Sequence, residues 1–434
     1  MPQFTTTRLN TIATDRSDAK RPHIVILGGG FAGLSAAKAL ADCQAMVTLI
    51  DRENHHLFQP LLYQVATAGL SAADIAQPLR HILEKQKNLM VIMDEVQSIE
   101  LSEKRVCLKS SALDYDYLIV ALGVQTSYFG NADWAKHAPG LKTLDEATEI
   151  RRRVLLAYEN AEKAADSSAA EAALNFVVVG GGPTGVELAG AISELSRFVL
   201  AREFHRIDPA KAKVHLIEAG PRLLPAFDPK QSQYTLEVLQ KMGVSVHLDT
   251  MVTNIEEGTV TTSKETIESS AVLWAAGVES GKAARTLNDV ERDRAGRIIV
   301  NSNLAIPEHA SVYVVGDLAS FTPDGGRPVP GVAPAALQMG AHAAMQIKRQ
   351  LDGQTLQPFA YHDKGSMATI GRSSAVAQFG KRTINGVFAW VLWLMVHLLF
   401  LVGMKNRLTV FHHWVWSYFT WQVGARIITK KRIY

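Results

Sequence analysis

The stretch Ile24-Val25-Ile26-Leu27-Gly28-Gly29-Gly30-Phe31-Ala32-Gly33 decides the fold. Its apolar run predicts a buried strand, its glycines a tight turn, and the small residues of Leu34–Leu40 a helix directly after. Gly28, Gly30 and Gly33 have the spacing of a dinucleotide-binding fingerprint. The first two let backbone approach a pyrophosphate, and the third lets the helix pack on the strand. The helix N-terminus then faces the phosphates with free N–H groups and a partial positive charge. An acid completes the pattern: the strand-like run Val47–Ile50 leads into Asp51, 18 residues after Gly33, where a carboxylate accepts from ribose hydroxyls. A glycine turn without a nucleotide needs no such acid.

The same pattern returns 152 residues later, as Phe176-Val177-Val178-Val179 followed by Gly180, Gly182 and Gly185. A period of that size is a second dinucleotide fold and not a solenoid repeat. Glu218, closing the strand Lys213–Ile217, is its acid. The 33-residue gap from Gly185 is long, and an extended helix and loop over Arg197–Ala210 accounts for it. A carboxylate there accepts from a 2′-hydroxyl and repels a 2′-phosphate, which favours NADH over NADPH, although Arg222 nearby pulls the other way. Two further strand-like runs, Leu118–Ala121 and Val272–Ala275, lead to Gly123 and Gly277, where backbone must pass something flat or bulky. The apolar run Ser311–Val315 closes with Gly316–Asp317. Two nucleotide folds plus this late strand predict a first fold interrupted by the second and completed after it. Asp317 also suits a helix N-cap, which does not compete with a ligand role.

Other elements are plainer. Leu89–Val96 and Tyr117–Ala121 read as strands, and Glu146–Ala173 as a helix broken near Asp166–Ser168. Asn54–Gln64 mixes His, Gln and aromatics and reads as neither helix nor strand. It either lines a ligand crevice or is a structural loop.

At 434 residues the chain predicts two or three domains. The net charge of +3 hides an asymmetry. Residues 364–434 hold ten Lys or Arg and no acid, leaving 35 basic and 42 acidic side chains on the first 363. A basic tail points to nucleic acid or a membrane, and five of the seven Trp lie in it, which favours the membrane. Cys43 and Cys107 are too far apart for a Cys-x-x-Cys pair or a disulfide framework. The adjacent histidines His55–His56 and His412–His413 diverge and have no ligand cluster, so no metal site is expected. Met1–Arg21 is polar, without an apolar signal segment, and reads as a disordered leader.

Gly386–Met404 has 19 residues, one His and no charge, enough for a membrane span by hydropathy. The basic residues after it should stay on the same side as the NADH-binding body, which one span forbids. Leu408–Gln422 sets Trp414, Trp416, Tyr418 and Trp421 among polar residues, as in an interfacial helix. Asn385–Val423 therefore reads as a monotopic hairpin in one leaflet, with 385–434 on anionic headgroups. A spanning pair and a contact with a second copy of the chain are the alternatives.

With these motifs together, the chain resembles the two-dinucleotide-binding-domain flavoproteins, and among them the type II NADH:quinone oxidoreductases, from about residue 22 to the end. The resemblance implies that Gly28, Gly30, Phe31, Ala32, Gly33, Asp51, Arg52, Gly123, Gly316 and Asp317 hold FAD. It implies that Gly180, Gly182, Pro183, Thr184, Gly185, Glu187, Glu218 and Gly277 hold NADH. Phe58–Tyr63 looks like the family segment beside the isoalloxazine ring. Val332–Gln338 is similar to the family's quinone motif Ala-Gln-x-Ala-x-Gln through Ala333, Ala336 and Gln338, with Pro334 where the first Gln is expected. Glu187, by itself a carboxylate suited to a helix N-terminus, becomes by this resemblance a buried acid that helps deliver protons. Gln338 and Lys364 become donors to a quinone carbonyl, Lys364 otherwise being one more solvated cation. Disulfide-reductase and sulfide:quinone relatives need a cysteine pair that Cys43 and Cys107 do not form.

The expected architecture is thus α/β, with two Rossmann-like domains, the second inserted in the first, and a C-terminal helical membrane anchor. The domains are a leader (1–21), the FAD domain (22–144 and 291–360), the NADH domain (145–290) and the basic, aromatic anchor (361–434). The implied protein is a non-proton-pumping respiratory enzyme on the cytoplasmic face of the inner (plasma) membrane. It would take a hydride from NADH to FAD and two electrons on to a membrane quinone such as ubiquinone, with no nucleic-acid partner. A reductase of another acceptor and a flavin-bearing binding protein are the alternatives.

Overall fold

The structure, a computed structural model, describes residues 10–11, 21–201 and 203–429. The chain divides into two compact units. The first takes residues 1–56, 77–125 and 278–363, and the second takes 57–76, 126–277 and 364–434.

In the first unit, a six-stranded sheet runs in the order Ala305–Ile306, His309–Val314, Tyr117–Val120, His23–Leu27, Met46–Asp51, Leu89–Met93. The opening strand is parallel to both neighbours, with Ile24 facing Tyr117 on one side and Val47 on the other. The late strand is parallel to Tyr117–Val120, with Val312 opposite Leu118, so residues beyond 300 finish a sheet begun at residue 23. All five residues of His23–Leu27 are buried, as a parallel strand covered on both faces requires.

Helix Phe31–Ala39 starts three residues earlier than the small-residue pattern implied, because Gly30 takes the extended conformation that opens a helix. It packs on Ala333–Leu351 at very close range. A Cβ on Gly340 would lie 2.0 Å from the Ala32 carbonyl oxygen, and Ser35 Oγ donates to Leu337 O at 2.8 Å. The expected strand Leu89–Val96 is two, Leu89–Met93 and Val96–Glu100, because Asp94 leaves the sheet and accepts from the backbone N–H groups of Glu95 and Ser110. Of the leader, Asn10–Thr11 pairs in parallel with Ser111–Ala112, and the rest, save Arg21, lies outside the described residues.

The second unit repeats the design in a four-stranded parallel sheet of order Val244–His247, Lys213–Ile217, Asn175–Val179, Ala271–Trp274. Helix Leu144–Lys163 opens on a reciprocal cap, Thr143 Oγ1 accepting from the Glu146 N–H while the Glu146 carboxylate accepts from the Thr143 N–H at 2.9 Å. The expected helix break falls at Ala164–Asp166, and Asp166 caps the next helix, Ser167–Ala172, by accepting from Ala169 N at 2.9 Å.

A three-stranded antiparallel sheet (Ser366–Gly371, Ser374–Phe379, Arg382–Asn385) then leads into a hairpin of two helices, Gly386–Phe400 and Met404–Thr420. Ala389, Trp393, Asn406 and Val410 face inward. Phe388, Leu399 and Leu408 stand more than half exposed, and so do Met395, Phe411 and Phe419, which also border the cavity described below. Among the described residues, no helix is long and apolar enough to cross a membrane.

Segment 57–76 corrects the reading of Asn54–Gln64 as neither helix nor strand. Gln59–Leu61 is a turn of 3-10 helix with Pro60 in its first turn, and Leu62–Ala66 is a short α-helix burying Leu62, Tyr63, Val65 and Ala66.

Replacing Gly340 by Ala forces Ala32 and its helix outward. The expected cost is about 1–3 kcal/mol of stability, read as a lower urea midpoint with an unchanged slope. An unchanged midpoint would mean that the two helices do not cross this closely.

Candidate cofactor sites and a buried acidic cavity

The two glycine turns are copies in steric detail. Gly28 has φ +101° and Gly180 φ +110°, a region that side chains avoid. A Cβ on Gly33 would lie 1.8 Å from the Gly28 carbonyl oxygen, and one on Gly185 would lie 1.8 Å from that of Gly180. Helix and strand therefore touch backbone to backbone. By contrast, a Cβ on Gly30 or Gly182 meets nothing within 4 Å, and neither helix start has a side-chain cap. Open space above uncapped helix N–H groups is the geometry that accepts a pyrophosphate.

The two acids are also matched. Asp51 accepts from the Gly29 N–H at 2.5 Å and the Glu53 N–H at 2.8 Å. Glu218 accepts from the Gly181 N–H at 2.6 Å and the Gly220 N–H at 2.7 Å. An ionised carboxylate has about four acceptor positions, so each keeps capacity for ribose hydroxyls. Arg222 donates to the Phe227 and Pro225 carbonyls at 2.9 and 2.7 Å, so its guanidinium is already committed to backbone. Pro183 opens the second helix and Thr184 follows it in the first turn.

In the first unit, Gly316 (φ +73°) sits where a Cβ would approach those of Ala32 and Ala336 at 3.3 and 3.6 Å. Asp317 is half-buried next to it, and Phe31 packs edge-on to His56 at 5.1 Å. His56 is a residue that sequence reasoning missed. A carbonyl oxygen only accepts, so the 3.0 Å contact of His56 Nδ1 with Gly29 O places a proton on Nδ1 and braces the turn from below. Burial lowers its pKa and keeps the ring neutral. The signal was only a His five residues past Asp51. Gly123 meets nothing within 4 Å, whereas a Cβ on Gly277 would strike the Phe129 ring at 2.5 Å, so the flat group that Gly277 must pass is Phe129. Arg52 is exposed beside Glu53.

Residues expected at the quinone are distributed differently. Ala333, Ala336 and Gln338 lie on the first unit's helix Ala333–Leu351. Both amide protons of Gln338 are spent, on Pro334 O and His362 O at 3.0 Å each, while its oxygen accepts from the His362 N–H at 3.0 Å. In this conformation Gln338 is a brace for the following chain, and donation to a quinone costs one of those bonds. Lys364 is exposed in the second unit, outside the cavity described next.

That cavity, about 430 Å³, lies within the second unit and is lined mainly by the inner side of the hairpin, including Trp390, Trp393 and Trp414. Its polar groups include Tyr63, Thr67, Glu187 and Glu194. Helix Pro183–Glu194 is held against its wall by Gly190, whose Cβ would lie 1.8 Å from Ile370 O. Burial raises the Glu187 carboxyl to about 8, against one backbone N–H from Thr369 at 3.4 Å that favours the anion. Burial likewise raises Glu194 to about 7, opposed by the Arg372 backbone N–H and guanidinium. The residual surface of both acids faces the cavity, so each is deep in protein while touching its open space.

Residues 22–340 match the family model described as pyridine nucleotide-disulphide oxidoreductase, and 363–420 match the NDH2 C-terminal domain. The chain is thus a two-dinucleotide-binding flavoprotein of that class. It is 44% identical to the type II NADH:quinone oxidoreductase NdhA of Mycobacterium tuberculosis, over 95% of this chain and 91% of that protein. It is 42% identical to Ndh of the same organism, over 96% and 92%. In fold it is similar to NDH2 from Plasmodium falciparum solved in complex with NADH, with a TM-score of 0.85 and 19% identity over 95% of this chain and all of that one. The chain belongs to the type II NADH:quinone oxidoreductase family.

A carboxyl that the folded protein holds protonated contributes its full share of stability below the ordinary value of 4.5, and loses it as pH rises through about 8. Glu187→Gln removes that loss. The wild-type Tm should therefore fall relative to the variant's between about pH 5 and pH 9. A pH-independent gap would mean that Glu187 is ionised throughout.

Proposed function

We propose that this chain takes a hydride from NADH at the second glycine turn and passes two electrons, by way of FAD held at the first, to a quinone that enters the apolar cavity. It is an FAD-dependent NADH:quinone oxidoreductase. FAD, when bound, supplies the hydride acceptor and electron donor; the chain's residues bind, orient and supply protons. Gly28, Gly30, Gly33, Asp51, Gly316 and Asp317 hold the FAD, and Gly180, Gly182, Gly185 and Glu218 the NADH. The observation that carries the quinone assignment is the cavity, an apolar chamber with a neutral acid, Glu187, in its wall. A quinone oxygen gaining electron density needs a proton donor in an environment that excludes bulk water, and Glu187 is such a donor.

The exposed apolar side of Gly386–Phe400 and Met404–Thr420 supports a hairpin lying in one leaflet, with Lys405 and Arg407 at the headgroups. The hairpin's inner side walls the cavity, so a lipid-soluble quinone would reach Glu187 without crossing water. We infer a cytoplasmic-facing body from its use of NADH together with the basic residues that follow the hairpin.

One equivalent of NADH added anaerobically to the holoenzyme should bleach the flavin, and a short-chain ubiquinone should restore it. Bleaching without restoration by quinone would favour a soluble acceptor. Glu218→Ala should raise the KM for NADH about tenfold and narrow the preference over NADPH. An unchanged ratio would remove Glu218 from ribose recognition. Removing 385–434 should abolish sedimentation with anionic vesicles; retained full binding would mean that another part of the chain is the anchor.

A further inference from the structure

Phe129, in the second unit, is strained and exposed at once. Its backbone sits at φ +51°, a left-handed conformation that bulky side chains avoid, and the residue is 67% exposed. Backbone outliers of this kind persist where the surrounding structure enforces them, and they gather at ligand sites. Here the enforcing contacts are visible. The Phe129 N–H donates to Ser127 Oγ at 3.3 Å, the Ser127 N–H donates to Gly277 O at 3.3 Å, and Ser127 O accepts from Trp274 Nε1 at 2.8 Å. The tip of the ring lies over Gly277, where a Cβ would meet Phe129 Cζ at 2.5 Å, so the glycine leaves room for the ring. Trp274 is buried, with the Tyr128 and Trp134 rings 5.4 and 5.6 Å away. Phe129, edge-on to Trp274 at 6.2 Å, is the ring of this set that stays open.

The place of that ring in the sheet suggests what it meets. The sheet begins at Asn175–Val179, grows through Lys213–Ile217 to Val244–His247, and then returns to the opposite side at Ala271–Trp274. Its order reverses between Asn175–Val179 and Ala271–Trp274, and a dinucleotide lies across the strand ends at such a reversal. Glu218, closing Lys213–Ile217, marks the side of the adenosine ribose. The nicotinamide half therefore leaves the pyrophosphate in the other direction, over the end of Ala271–Trp274. Close contacts run the same way. A Cβ on Gly180 would lie 2.8 Å from Ala275 O, and Gly277, two residues on, lies under the Phe129 ring.

We propose that Phe129 is the platform for the nicotinamide half of NADH, with Ser127 and Gly277 holding its ring in place. The proposal rests on NADH binding at the second glycine turn. A nicotinamide ring has two faces. Hydride transfer commits one of them to the flavin, and the other needs apolar cover against water. An aromatic ring supplies that cover by offset or edge-to-face packing. The oxidised ring carries a positive charge, which the negative face of a phenyl ring also attracts. An exposed, strained Phe beside the pyrophosphate turn thus has a ligand-side reason for both its exposure and its strain. The adenosine half, on the far side of the turn, gains nothing from it.

The test is calorimetric titration of the FAD-loaded enzyme with NAD+ and with ADP-ribose, which lacks the nicotinamide. Phe129→Ala should raise the Kd for NAD+ about tenfold and leave that for ADP-ribose within about twofold, as expected for the loss of one stacked ring. Phe129→Leu, which keeps apolar bulk over Gly277, should lose NAD+ affinity less and ADP-ribose affinity not at all, so the test stands even where the alanine variant does not fold. Phe129→Tyr keeps the ring and should bind both ligands as the wild type does. An unchanged Kd for NAD+ in Phe129→Ala, or an equal loss for both ligands in Phe129→Leu, would overturn the platform. Glu218→Ala separates the two readings, because it should weaken NAD+ and ADP-ribose alike. If it weakens neither, NADH is not held at the second turn; if it weakens both while Phe129→Ala weakens neither, only the platform fails.

Discussion

Everything in this molecule depends on two places where backbone touches backbone. Gly33 over Gly28, and Gly185 over Gly180, bring helix and strand so close that any side chain would overlap a carbonyl oxygen. That contact aims each helix N-terminus at the open space over Gly30 or Gly182, and it sets each strand-end acid opposite its turn, where Gly29 or Gly181 donates to it. The same economy of small residues continues outward. Gly340 lets a second helix lie on Ala32, and Gly190 lets the second fingerprint helix lie on Ile370.

That second helix does two things at once. Its first turn leaves uncapped N–H groups under the open space above Gly182, while its flank carries Glu187 and Glu194 into an apolar cavity. Dipole and desolvation act on different residues of one rigid rod. The uncapped end favours negative charge, and the buried flank suppresses it. A carboxyl that would be ionised at neutral pH on an exposed helix, Glu187, is thereby held protonated. The hairpin completes the arrangement from the other side, its inner tryptophans walling the cavity and its outer face left apolar.

Motifs that act through backbone geometry were legible in the sequence. Gly28–Gly33, Gly180–Gly185, Asp51, Glu218 and the late strand at Val312 are defined by spacing along the chain, and spacing survives without a structure. The hairpin was legible for a similar reason, since a long uncharged run next to a Trp-rich one leaves few alternatives. What sequence could not give were contacts between residues far apart in the chain. Gln64 meets Trp414 across 350 positions, and His56 reaches back to Gly29 O. Asn54–Gln64 read as irregular because its strand, 3-10 turn and helix are three, three and five residues long, too short to show a period. Ala336 matches a family motif, and the structure adds a packing reason for its size, its contact with Gly316. Gln338 shows the limit of reading roles from residue type: an amide suited to a quinone carbonyl is occupied by Pro334 and His362.

The central claim is that helix Pro183–Glu194 holds a neutral carboxylic acid, Glu187, on its flank. Infrared difference spectroscopy of the holoenzyme tests it most directly, by the C=O stretch of a protonated carboxyl that is lost in Glu187→Gln. The account predicts that this band is present at neutral pH and disappears with a midpoint near about 8. A Glu187 that shows only carboxylate bands at pH 7 would contradict it.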